Sequence, residues 1–413
     1  MAPISIIVTH ILLFIALFFE VFFLITYLER RRQMKTEYRE RLSDHTPSVT
    51  VIVPCFNEGE TVLATIYSLL ELNHPKDKLK IMIVNDGSRD NTLNVLSVFA
   101  DHPQIEIHSK ENGGKYTALN FALERVTSDL VGCLDADSFV DKDALYHMLP
   151  YFDNPKIMAV VPSIIVHEPN NILQTMQRVE YNWGVLTRKL LSYLDALYVT
   201  PGPFTIFRKR VFDELGPYKH AHHTEDLELA LRMQQSHYKI GNSHRSFVLT
   251  VAPDRLHKLY KQRLRWTYGF IKNLADYKFM IFKKKYGHIS FLILPIGLLS
   301  IFTILYLTSY FLIHLGGRLY DFIEKTSVIG FTPRWPDFRI EWFYVNTDSA
   351  MIILVVAFML TLILMFAAQK LAEGRTRPGL DLVYYILIYP ILVPSWIAMA
   401  VFNNLLSKKI TWR

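Results

Sequence analysis

Residues 130–134, Leu-Val-Gly-Cys-Leu, form an apolar run of strand length that stops abruptly at two carboxylates, Asp135 and Asp137. A buried strand ending in Asp-x-Asp places acid groups at the mouth of an α/β sheet, where such folds bind ligands. With the hydroxyl of Ser138 beside them, these are hard oxygen donors suited to Mg2+ or Mn2+. Taken alone, a helix N-cap after a strand explains the same residues better, since Asp and Ser both cap well.

The surrounding chain repeats the pattern. Residues 49–54 are β-branched and strand-like, then come Cys55-Phe-Asn-Glu58 and a helical stretch over 61–72. Residues 81–84 form a second strand ending in Asn85-Asp-Gly-Ser88. A third, 105–108, leads to Glu111-Asn-Gly-Gly-Lys115 and a helix through Val126. This alternation predicts a mostly parallel, Rossmann-like α/β sheet with polar residues at the strand C-termini. Neither a GxGxxG turn nor a GxxxxGK[ST] loop occurs, which removes support for a dehydrogenase or a P-loop NTPase. Further on, the pattern predicts strands over 157–166 and 204–207 and helices over 172–197 and 227–235. His220, His222 and His223 lack a defined metal-ligand spacing and read as a loop. Cys55 and Cys133 have neither zinc nor disulfide-framework spacing.

The ends of the chain follow another rule. Apolar runs over 5–27, 290–315, 350–369 and 380–402 are each long enough to cross a bilayer. Arg30, Arg31, Arg32 and Lys35 follow the first run and place the next domain in the cytoplasm by the positive-inside rule. The net charge of +7 sits largely beside apolar segments, so a membrane surface, not nucleic acid, is its expected partner. Residues 255–274 read as a basic amphipathic helix, either on the bilayer surface or packed on the core. Glu20 reads either as a path-lining group or as a packing contact. Four spans put the C-terminus outside, whereas Lys408, Lys409 and Arg413 favour the inside; residues 316–348 suggest an interfacial or re-entrant piece. The domain expectation is an anchor and basic linker over 1–47, a catalytic domain over 48–254, interface helices over 255–288 and a membrane region over 289–413.

Five features share the middle domain: Asn85-Asp-Gly87, Gly113-Gly-Lys115, Asp135-Ala-Asp137, Thr224-Glu-Asp226 and Gln262-Arg-Leu-Arg-Trp266. In this order, beside membrane spans, they resemble the processive inverting family 2 glycosyltransferases of GT-A fold, which include cellulose, chitin, hyaluronan and poly-N-acetylglucosamine synthases. The resemblance covers roughly residues 48–270. It implies that Asp226, with Glu225, serves catalysis by taking the acceptor proton. It places Asp86, Glu58, Lys115, Asp135, Asp137, Gln262, Arg263 and Arg265 on the donor, with Asp137 and Asp135 holding Mg2+ or Mn2+ against the diphosphate. Trp266, Phe204 and Thr205 fall on the acceptor side. Two departures stand out: Asn85 replaces the first acid of a frequent Asp-Asp-Gly, and one N-terminal span is evident where some relatives have two.

The implied activity is polymerisation of a nucleotide sugar, with UDP-N-acetylglucosamine favoured over UDP-glucose, and export of the polysaccharide through a multi-pass cell (plasma or inner) membrane. The implied partners are the UDP-sugar, the growing glycan, the bilayer and a small membrane accessory subunit. Two rivals remain: a non-processive transferase adding one sugar to a lipid or glycan, and a catalytically inactive nucleotide-sugar-binding scaffold.

Overall fold

The computed structural model describes residues 2–36, 46–330, 349–375, 377 and 379–406. After the long helix α1 (Ala2–Thr36), the chain runs β1 (Val49–Cys55), α2 (Val62–Leu70), β2 (Leu79–Asn85), α3 (Thr92–Leu96), β3 (Ile105–Ser109), α4 (Lys115–Leu123) and β4 (Leu130–Cys133). It continues through β5 (Ser138–Val140), β6 (Ile157–Val166), α5 (Ile172–Tyr193), β7 (Ile206–Arg208), α6 (Arg210–Leu215), α7 (Glu225–Gln235) and β8 (Lys239–Thr250). The last helices are α8 (Leu256–Asp276), α9 (Leu294–Ile329), α10 (Ser349–Glu373) and α11 (Leu380–Leu405).

The strands form one sheet in the order β3-β2-β1-β4-β7-β6-β8-β5. β1 to β4 pair in parallel, β6 and β8 also run parallel, and β7 and β5 join antiparallel. Alternation of short β-branched runs with helices produces the parallel half, because each helix must cross back over the sheet before the next strand begins. Val49, Val51, Val53, Ile81, Ile83 and Leu130 are buried and pack with Ile66 and Leu69 of α2. Burial of each such side chain contributes about 1.5–3 kcal/mol. Register aligns Cys55 with Asn85 and Ile52 with Cys133. The polar segments that follow β1, β2 and β4 therefore emerge along one edge of the sheet.

The structure adds strands that the pattern does not announce. β8 carries Asn242, Ser243, His244 and Ser246 buried within it, a composition that hides a strand. β5 has only three residues. The strand expected over 204–207 starts at Ile206, because Phe204 has φ +58° and turns the chain before pairing begins. α5 ends at Tyr193, followed by Asp195 in the left-handed region.

Among the described residues, four helices are long and apolar enough to cross a membrane, matching the runs read from sequence. α9 continues as regular helix through Gly316 to Ile329, the described part of the 316–348 region. Residues 331–348, and Lys408, Lys409 and Arg413, lie outside the described residues.

The chain forms two compact units, which divide the expected 289–413 region. One comprises Met1–Leu28 and Ile296–Leu364. Within it, Glu20 on α1 lies beside Thr361 on α10, whose hydroxyl donates to the Ala357 carbonyl at 3.0 Å, and His10 bonds Ser349 at 2.9 Å. These contacts give Glu20 a packing partner on a neighbouring helix. The other unit comprises Glu29–Pro295 and Met365–Arg413, so α11 belongs with the sheet domain and packs on α5 and α8. Charges join these helices. Asp381, 2% exposed, accepts from Arg178 Nη2 at 2.8 Å and Arg375 Nη1 at 3.4 Å, while Asn182 donates to Glu373 at 2.8 Å.

Removing one partner of a buried pair leaves the other charge uncompensated and costs about 3–5 kcal/mol. Asp381→Ala should therefore lower the thermal midpoint of the detergent-solubilised protein by several degrees. A midpoint equal to wild type would show that the network contributes nothing to stability.

Candidate active site

The edge formed by the strand ends is built first from its loops. Asp86, directly after β2, is buried at 2% exposure. Its Oδ1 accepts from Lys110 Nζ at 2.7 Å and the Gly113 N–H at 3.0 Å, and its Oδ2 from the Gly114 N–H at 2.8 Å. The Asp86 carbonyl receives Asn112 Nδ2 at 2.8 Å. Asp86 thus shapes the 110–114 loop, with both carboxylate oxygens bonded to it. Gly114, with φ +92°, makes the turn that a Cβ would strain and delivers Lys115 as the first residue of α4.

Lys115 Nζ bonds Asp135 Oδ1. Burial opposes the ammonium charge, but the negative groups around it, Asp135 first and Glu225 with it, together outweigh burial and hold the lysine pKa above its ordinary value. Asp137 feels the same Lys115 charge, but less strongly than it feels burial and the neighbouring acids. Burial first, then the negative charges of Asp135 and Glu58, push its carboxyl up to about 6, although Ser138 donates to it at 3.2 Å. Glu58 is raised too, by burial and by Asp135 and Asp90, against a 2.6 Å bond from Thr61. An under-compensated carboxylate beside a second one is a donor set for a hard divalent cation. Among the described residues no group of three or more His, Cys, Asp or Glu side chains could close around a metal. Two carboxylates completed by phosphate oxygens and water match the habits of Mg2+.

The opposite wall comes from α7. Lys115, Gly202, Glu225 and Asp226 line one cleft, with Cys133 and Tyr218 behind them. Asp226 Oδ1 accepts from the Leu227 N–H at 2.9 Å, and the Asp226 carbonyl accepts from Thr200 Oγ1 at 2.8 Å. Burial and the neighbouring Glu225 push the Asp226 carboxyl up to about 6, while Lys115 and Arg265 pull the other way. A carboxylate balanced in this range can take a proton near neutral pH. Gly202 closes the cleft: a Cβ there would lie 2.7 Å from Lys115 Nζ and 3.4 Å from Asp135 Oδ2. Sequence spacing does not reveal this constraint, because Gly202 meets Lys115 only through the fold.

α8 separates the residues of the Gln262–Trp266 motif. Arg265 Nη1 donates to the His223 carbonyl at 3.3 Å, on the side of the α7 wall. Trp266 is 38% exposed. Arg263, 4% exposed, faces the other way. It bonds Glu180 Oε2 at 2.6 Å, Tyr389 Oη at 3.5 Å and Gln262 Oε1 at 2.5 Å, and its guanidinium lies 4.3 Å from the Trp266 ring centre. Arg263 forms a strut from α8 to α5 and α11, and Gln262 spends its carbonyl on that strut. Phe204 and Thr205 turn inward as well. Phe204 is fully buried in the core, and Thr205, 1% exposed, donates to the Pro201 carbonyl at 2.6 Å. Neither side chain is available to an acceptor. The fold brings together Lys115, Asp135, Asp137, Glu58, Glu225, Asp226 and Arg265. Lys110, Thr200 and Glu180 are the supporting residues that motif reading misses.

This arrangement has counterparts in known proteins. Residues 50–216 match the family description "Glycosyl transferase family 2". Poly-beta-1,6-N-acetyl-D-glucosamine synthase of Staphylococcus epidermidis is 32% identical over 224 residues, 54% of this chain and 54% of that protein. The synthase of the same name from Staphylococcus aureus (strain COL) is 31% identical over 229 residues, 55% of each. The chain spans about half the length of the curated relatives it matches. Mannosyltransferase PcManGT from Pyrobaculum calidifontis, solved in complex with GDP-Man and Mn2+, has a TM-score of 0.58 at 19% identity, covering 96% of this chain and 100% of that one. That likeness is one of fold. Residues 50–216 thus match the family 2 glycosyltransferases, the fold is of the GT-A kind, and the chain resembles the poly-N-acetylglucosamine synthases.

Proposed function

We propose that this chain is a membrane-embedded inverting β-glycosyltransferase that polymerises UDP-N-acetylglucosamine and exports the product, with its sheet domain in the cytoplasm. One observation carries the reading: Asp226, a carboxylate poised near pH 6, shares a cleft with Lys115, which is paired to Asp135 at the Asp-x-Asp edge. The curated relatives named above, poly-N-acetylglucosamine synthases by title, support the choice of sugar and of a polymeric product.

In this mechanism the donor binds along the edge formed by the strand ends, with its diphosphate toward Lys115 and Arg265, whose positive charges offset the charge that grows on the leaving group. Asp137 and Asp135 would hold Mg2+ or Mn2+, which when bound neutralises the same diphosphate. Glu58 adds negative potential at that edge, and Asp86 keeps the 110–114 loop in place. Asp226, seconded by Glu225, accepts the proton of the acceptor hydroxyl as that oxygen attacks the anomeric carbon. A single displacement inverts an α-linked donor to a β-linkage. Trp266 offers an exposed apolar face for an acceptor ring. The bilayer surrounds the four apolar helices, and a small membrane accessory subunit is a further proposed partner.

Membranes given radiolabelled UDP-N-acetylglucosamine and Mg2+ should yield a high-mass product that β-N-acetylglucosaminidase degrades. Label in single-sugar products would instead indicate single addition, and label from UDP-glucose alone would change the sugar. Asp226→Asn should keep UDP binding and reduce transfer about 10²–10⁴-fold. At saturating divalent cation, wild-type turnover should fall as pH drops through about 6, because protonated Asp226 cannot act as base; a flat profile from pH 5 to 8 would remove it from that role. Lys115→Ala removes the ammonium group itself, so it should weaken UDP binding by about tenfold, the loss of one charge-assisted contact. Titration calorimetry with UDP reads that change, and unchanged affinity would exclude Lys115 from the diphosphate.

A further inference from the structure

The wall carrying Asp226 rests on an unusual piece of backbone. Ala221, His222 and His223 are consecutive non-glycine residues with φ of +41°, +55° and +65°. L-residues adopt this region reluctantly, and three in succession persist only where surrounding contacts impose it. Thr224 follows, and with it the first turn of α7 that bears Glu225 and Asp226.

The imposing contacts come from one face of α8. Asn273, 1% exposed, donates through Nδ2 to Thr224 Oγ1 at 2.8 Å and the Ala221 carbonyl at 3.3 Å, and it also reaches the Gly269 carbonyl of its own helix at 3.0 Å. Thr224 Oγ1 donates in turn to the Ala221 carbonyl at 3.0 Å. Arg265 holds the His223 carbonyl, and Asp276 Oδ2 lies 3.1 Å from His222 Nε2. Gly269 lets the helix approach: a Cβ there would stand 2.5 Å from Thr224 Cγ2 and 3.0 Å from its Cβ. Positions 265, 269, 273 and 276 recur at helical spacing, so a single face meets the whole turn.

We propose that Asn273 and Gly269 are positioning residues that hold the left-handed turn 221–223 and Thr224 in place, and so fix where the Asp226 carboxylate stands in the cleft. This rests on Asp226 being the base. Neither residue reaches the cleft; both act through Thr224. Misplacing a reacting group by about 1 Å costs on the order of 10²-fold in rate.

The test uses the full chain in detergent or nanodiscs, with UDP-N-acetylglucosamine as donor and UDP titrated to count competent sites. Asn273→Ala should lower kcat per UDP-binding site about 100-fold, with donor KM and UDP stoichiometry within twofold of wild type. Gly269→Ala should do the same by displacing Thr224. Where Asn273→Ala fails to bind UDP, Gly269→Ala decides. Wild-type kcat per site in a UDP-competent variant overturns the inference. Loss of UDP binding in both variants also overturns it, by making the face a determinant of folding. Asp226→Asn run in parallel separates the two ideas: a turnover-competent Asp226→Asn removes the base assignment itself, whereas an inactive one beside a fully active Asn273→Ala removes only the clamp.

Discussion

Negative charge held out of water governs the sheet domain. Asp86, Asp135, Asp137, Glu58, Glu225 and Asp226 gather around the C-terminal ends of the strands, and the fold supplies each with a different degree of compensation. Asp86 is fully answered by two backbone N–H groups and Lys110. Asp135 has Lys115. Asp137 and Asp226 are left with too little, and both are pushed up to about 6. Buried charge tolerates partial compensation only where surrounding structure enforces it. The gradient from satisfied to unsatisfied acid separates residues that build the site from those left to meet ligand.

Much of this was legible in the chain. The parallel half of the sheet follows from short β-branched runs alternating with helices, and the acids at its edge follow from where those runs stop. The four apolar helices were equally plain, because length and hydropathy alone define them. Three things were not legible. β8 hides because polar residues such as Ser243 and Ser246 are buried and bonded within the fold: Ser243 donates to the His147 carbonyl at 2.9 Å and Ser246 to the Ala144 carbonyl at 2.8 Å. Phe204 and Thr205 belong by position to a loop beside the site, yet a left-handed backbone at Phe204 turns the ring into the core.

The third is the split between Arg263 and Arg265. Two residues apart on a helix, they project about 200° from each other. A motif read as a string treats them alike, whereas the fold gives one to the α7 wall and the other to Glu180 and Tyr389. Each arginine is fixed by a different partner element, and neither partner can be found by local spacing. Gly202 shows the same limit from the opposite direction, since its importance is the absence of an atom where two distant segments meet.

The membership of α11 in the same compact unit as the sheet bears on how this protein can be handled. A fragment cut before residue 289, the natural choice for a water-soluble catalytic piece, would strip α5 and α8 of the helix they pack against. It would leave Arg178 without Asp381 and Arg263 without the Tyr389 hydroxyl, and would bare an apolar surface on the helix that carries Trp266. Enzymology on this protein therefore belongs in a lipid or detergent setting with the last helix attached, because part of what holds the catalytic scaffold rigid is itself a membrane-type helix.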